Sequence, residues 1–99
     1  MGDANAVAQR FGENLRRARR QAGLSQEALG ERASLHRTEV GLLERGARVP
    51  RIDTLVKVAS GLGIRFECPL LGGIEWMPGG TTTTPGAFTY STPTERRRT

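Results

Sequence analysis

The segment Gln26–Arg45 restricts this chain more than any other part of it. Leu29, Ala33, Leu35, Val40 and Leu43 recur at helical spacing on either side of Ser34-Leu35-His36, and Gly30 puts a residue without a side chain among them. Two helices that cross steeply through a three-residue turn need this combination. Apolar residues at fixed offsets fill the crossing, and a small residue lets the backbones touch. Ser25 ahead of QEALGERA has the order of an N-cap followed by a helix, with Glu27 in the first turn, where a carboxylate meets the positive end of the helix dipole. The spacing therefore predicts one helix over about Gln26 to Ala33 and a second over about His36 to Glu44, stopped by Gly46.

The flanks extend this pair. Val7, Phe11, Leu15, Ala18 and Ala22 form one apolar stripe, predicting a helix over 7–22 closed by Gly23, while Arg10, Arg16, Arg17, Arg19 and Arg20 take the other faces. Residues 1–6 are short and polar and are expected to fray. After Pro50, the apolar set Ile52, Leu55, Val56, Ala59 and Leu62 predicts a helix over about 52–62, closed by Gly61 and Gly63. Pro69 suits a first helical position, which favours a short fifth helix at Cys68–Leu71 over a strand at Ile64–Cys68. The chain thus divides into a polar start at 1–6, a helical domain at 7–72, and a Gly-, Thr- and Pro-rich extension at 73–99 with a basic end at Arg96-Arg97-Arg98. In the extension, Ile74–Met77 and Ala87–Tyr90 read as two short strands around PGGTTTTPG.

Composition removes whole classes of function. No run of eighteen apolar residues exists, and the first residues lack the basic-then-apolar order of a secretory signal. Cys68 is the only cysteine and His36 the only histidine, too few for a zinc site or an internal disulfide. No metal or cofactor is expected. No nucleophile–base pair, carboxylate pair or phosphate-binding glycine loop appears either, so the chain reads as a non-enzyme. The net charge of +5 rests on fourteen arginines and one lysine, Lys57, and suits a polyanionic partner. The expected location is the cytoplasm.

The tracts LRRARRQAGLSQEALGERA, LLERGARVP and DTLVKVASGLGI resemble the Cro/CI-type helix-turn-helix regulators, over residues 11–72. Two positions depart from the family pattern: Ser34 stands where the turn usually has Gly, and Gly30 where helix two usually has Ala. The resemblance implies an all-α, five-helix, lambda-repressor-like DNA-binding domain, with the extension added to it. It also implies that the third helix enters the major groove by its N-terminal end. His36, Arg37 and Thr38, with Gly41 and Leu42 one turn on, are then the base-reading candidates. Arg37 has the geometry for a bidentate contact to guanine O6 and N7. Gln26 at the start of helix two, and Arg45, Arg48 and Arg51 around the end of helix three, are the phosphate candidates. Arg19 and Glu44 correspond to a structural salt bridge between helices one and three.

One such unit makes few base contacts, so the expected form is a homodimer on a palindromic double-stranded site, acting as a repressor. Ile74, Trp76, Met77, Phe88 and Tyr90 fall outside the helical core. They serve either as a dimer or partner surface or as a strand pair covering the chain's own core. The alternative function is an antitoxin, in which the extension would bind a toxin protein and the domain would regulate its own operon.

Overall fold

The computed structural model describes residues 2–64, 69–79 and 86–91. Four helices, α1 (Gly2–Gln21), α2 (Gln26–Ala33), α3 (Arg37–Glu44) and α4 (Ile52–Leu62), are followed by a hairpin of β1 (Ile74–Met77) and β2 (Ala87–Tyr90). No helix among the described residues is long and apolar enough to cross a membrane.

Helix α1 starts at Gly2 and not at Val7, because residues 2–6 contain neither Pro nor a stop signal and the first turn propagates backward. Its inner face is Ala8, Phe11, Leu15 and Ala18. Val7 is half-buried, and Ala22 lies past the helix end and is exposed. Gly23, at φ +73°, closes the helix, with its N–H donating to the Arg20 carbonyl and that of Leu24 to Arg19. This is the left-handed closure that a glycine adopts at little cost. In α2 the Ser25 hydroxyl accepts from the Ala28 N–H at 2.9 Å, as the cap order predicted. Ser34 then takes the left-handed conformation at φ 59°, ψ 42°, a strain of about 1–2 kcal/mol for a non-glycine residue that the turn imposes.

The core joins Phe11, Leu15 and Ala18 of α1 to Leu29, Val40, Leu43, Val58, Ala59 and Leu70. Helix α2 packs on both α3 and α4, and α1 packs on α3. The apolar stripe of α4 differs from the expected one. Val58 is buried, whereas Ile52 and Val56 are exposed at 82% and 49%. The reason is Gly61, which lets α4 cross α2 closely. A Cβ there would meet Leu29 Cδ1 at 3.1 Å and the Ala33 nitrogen at 3.3 Å. The contact line thereby runs through Val58 and Gly61, and Ile52 faces outward.

The fifth helix is absent among the described residues. Pro69 and Leu70 form a turn, with Leu70 fully buried, while Cys68 and the end of the alternative strand at Ile64–Cys68 lie outside the described part. In place of helical hydrogen bonds, the side chain of Asn14 holds this turn. Its Nδ2 donates to the carbonyls of Leu70 at 3.0 Å and Gly72 at 3.1 Å, and its Oδ1 accepts from Arg17 at 3.2 Å. Asn14 is 3% exposed, so losing it strands two carbonyls away from water. Asn14→Ala is expected to cost about 1–3 kcal/mol in urea denaturation followed by far-UV circular dichroism. An unchanged midpoint would show that the turn is held by Leu70 packing alone.

The two strands fall on the expected residues and pair antiparallel, with Ile74 opposite Tyr90 and Trp76 opposite Phe88. One face of the hairpin therefore carries Ile74, Trp76, Phe88 and Tyr90, and Trp76 meets Phe88 edge-on with ring centroids 5.0 Å apart. Arg10 of α1 anchors the hairpin base: Nη1 donates to the Ser91 carbonyl at 2.7 Å, and the guanidinium lies 5.5 Å from the Tyr90 ring centroid. Trp76 and Met77 remain more than half exposed, while Ile74 and Phe88 are half-buried. The basic end Arg96–Arg98 lies outside the described residues.

Candidate nucleic-acid interface

Helix α3 opens at the surface. His36 is its N-cap and not its first helical residue, and His36 Nδ1 accepts from the Thr38 N–H at 3.1 Å. That bond holds the imidazole against the helix start. Arg37 and Thr38 are exposed beside it, and the Arg37 guanidinium has no hydrogen bond or ion pair among the described residues. A shallow groove next to Arg37 is lined by Glu27, Glu31, Leu35 and His36. Glu27 and Glu31 thus stand beside the helix start.

One turn on, Leu42 is half-buried and Gly41 is buried. Gly41 does not present a surface to a base. A Cβ built on it would lie 3.3 Å from Arg45 Nη1 and 3.6 Å from Gln26 Oε1, so both side chains fold across its backbone. Helical spacing put Gly41 on the face of Arg37 but gave no sign that two long side chains cover it.

Gln26 is the link between the two helices. Its Nε2 donates to Glu44 Oε1 at 3.1 Å, which fixes the start of α2 against the end of α3. Glu44 is the centre of a wider network. Its carboxylate is fully buried and also accepts from Arg19, through Nε and, at 3.1 Å, Nη2, and from Arg16 Nε at 3.4 Å. The Arg19 Nη1 donates in turn to the Leu24 carbonyl at 2.8 Å. The expected pairing of Arg19 with Glu44 is present, and Arg16 joins it from a position that sequence reasoning had left among ordinary surface charges. Burial alone would raise the Glu44 carboxyl, but the hydrogen bonds from Arg19, Gln26 and Arg16 and the Arg19 charge outweigh it and hold the group below its usual range.

The remaining arginines differ in availability. Arg48 pairs with Glu39 at 3.1 Å, and Arg51 with Asp53 at 3.3 Å, both at the surface, where such pairs are weak and open readily to a competing phosphate. Arg45 caps the C-terminus of α3, and its guanidinium is unpaired among the described residues. One surface therefore carries an unpaired Arg37 at the start of α3 and an unpaired Arg45 at its end, with Gln26 between them.

A helix-turn-helix family model, HTH_3, matches residues 15–67, which takes in the end of α1, the α2–α3 unit and α4. The chain belongs to the Cro/CI-type helix-turn-helix family. It is similar to the HTH-type transcriptional regulator y4dJ of Sinorhizobium fredii, 40% identical over 53 residues that span 54% of this chain and 69% of that protein. It is also similar to the control protein C.BamHI of Bacillus amyloliquefaciens, 36% identical over 56 residues, or 56% and 69% of the two chains. Among solved structures it resembles the restriction-modification controller protein C.AhdI of Aeromonas hydrophila. That match has a TM-score of 0.63 at 38% identity, covering 66% of this chain and 97% of the other. The protein is accordingly a helix-turn-helix transcriptional regulator of the DNA-binding class.

Proposed function

We propose that the protein is a homodimeric repressor that reads a palindromic operator with α3 in the major groove. The observation that carries this reading is the start of α3, where Arg37 is exposed and unpaired beside a capped and therefore ordered first turn. An unpaired guanidinium contacts guanine O6 and N7 without first breaking an internal bond. Thr38 and His36 complete the base-reading set, with Leu42 at its margin. Gln26, Arg45, Arg48 and Arg51 hold phosphates on either side. A second copy supplies the other half-site, about 34 Å away. The exposed Trp76, Met77 and Tyr90, on the hairpin with Ile74 and Phe88, are the surface on which the copies meet.

Selection from a random duplex library at two salt concentrations tests the reading. The expected result is recovery of a palindrome, with Arg37→Ala losing roughly 5- to 150-fold in preference at one symmetric base pair. Equal recovery of all sequences would overturn it. The description of C.AhdI as a restriction-modification controller favours one setting, control of a restriction-modification operon. In that setting the selected palindrome lies upstream of genes for a nuclease and a methyltransferase.

A further inference from the structure

Helix α1 carries a charged face that the readings above do not use. Glu13, Arg16, Arg17, Arg20 and Gln21 line an open groove together with Glu44 and Arg45 from the end of α3. Its volume is about 830 Å³, and every residue that lines it is charged or polar, six of the seven being Arg or Glu. Four guanidinium groups face two carboxylates there. Glu44 is already matched by Arg19, Arg16 and Gln26, so the floor of the groove is neutralised from within. Glu13 is exposed, and its ion-pair partner is Arg10, at 3.9 Å. Arg17 spends one N–H on Asn14. Arg20 and Arg45 have no side-chain partner among the described residues.

We infer that this groove is a second phosphate site, in which α1 grips the DNA backbone beyond the edge of the base-reading surface. The inference rests on the reading of α3 as the major-groove helix. An eight-residue helix is about 12 Å long, which matches the width of the major groove. With Arg37 among the bases, Arg45 stands at the groove wall, where a sugar-phosphate strand runs. Arg45 and Gln26 meet over Gly41, so the arginine groove continues directly from the end of the reading helix. Arg16 and Arg20, one helical turn apart on α1, then face the next phosphate of that strand.

Salt dependence separates this from other roles. Each neutralised phosphate contributes about 0.9 to the slope of log affinity against log salt. A fluorescent duplex of random sequence is titrated with wild type and with the Arg16→Gln/Arg20→Gln variant, between about 50 and 200 mM salt. The expected slope falls by about 0.9 per bound protomer, so the affinity gap closes roughly 3.5-fold across that range. Arg20→Gln alone is expected to lose affinity while melting with wild type, since its guanidinium holds nothing in the fold. Arg20→Lys keeps the slope, because it keeps the charge. Lys57→Gln, the same charge change as Arg20→Gln but on exposed α4 outside the groove, leaves the slope unaltered. An unchanged slope in the double variant overturns the inference, and so does an equal drop in Lys57→Gln. Neither result touches the reading of α3, which stands or falls with base preference in the Arg37→Ala selection.

Discussion

Replacing Arg19 by alanine is expected to destabilise the fold by about 3–5 kcal/mol at neutral pH, a large part of the 5–15 kcal/mol that holds a domain of this size together. The Glu44 carboxylate is fully buried and the Arg19 side chain is 11% exposed, so water cannot replace the lost partner. Arg16 and Gln26 stay in place and offset some of the loss, which sets the expectation toward the lower end. The Leu24 carbonyl loses its donor as well.

The dependence on pH distinguishes this cause from lost packing. In the wild type the folded Glu44 carboxyl lies below its usual value, so its contribution to stability is complete above the unfolded value of about 4.3. That contribution disappears as pH falls through the folded value. In Arg19→Ala the largest lowering influence is gone, so burial pushes the carboxyl upward from its wild-type value. The variant then has less to lose in mild acid and regains stability relative to wild type. Urea denaturation at pH 7 and near pH 4 is expected to show the gap narrowing at the lower value. A gap equal at both values would assign the effect to the packing of the arginine stem.

The Arg19–Glu44 pair was legible through the family resemblance alone, which says nothing of Arg16 or Asn14; what else could be read follows from the range of each interaction. The α2–α3 unit was readable because its apolar offsets are local and the Ser25 cap lies within four residues of what it caps. The hairpin strands were readable because alternation and flanking glycines set their limits. Asn14 interrupts the spacing between Phe11 and Leu15 and bonds a turn more than fifty residues away, a partner that no periodicity encodes. Gly41 lay on the right helical face, but its covering by Gln26 and Arg45 depends on how far side chains reach across a crossing. The fifth helix was inferred from Pro69 and from resemblance. Where Asn14 satisfies the Leu70 and Gly72 carbonyls, a turn needs no helix to pair them.

The seam between α1 and α3 gives the second large effect, at Gly12. A Cβ at Gly12 would lie 2.5 Å from the carbonyl oxygens of both Leu43 and Glu44. Those atoms belong to the backbone of the last turn of α3 and cannot rotate away, so α1 must move. Alanine gains about 1 kcal/mol in helix propensity over glycine, but overpacking of this kind costs about 1–3 kcal/mol and at times more. Gly12→Ala is therefore expected to lower stability, against its propensity. The displacement also acts on the ion pair, since Gly12 and Arg19 lie two turns apart on one helix and both address the end of α3. Lifting α1 off the Leu43 and Glu44 carbonyls lengthens the bonds from Arg19 and Arg16 to the Glu44 carboxylate. The two substitutions should then be non-additive, with Gly12→Ala/Arg19→Ala costing at least 0.5 kcal/mol less than the sum of the singles. A double-mutant cycle in urea measures this directly. Strict additivity would mean that α1 accommodates the methyl group by bending locally at Gly12 and leaves the arginine end of the seam where it is.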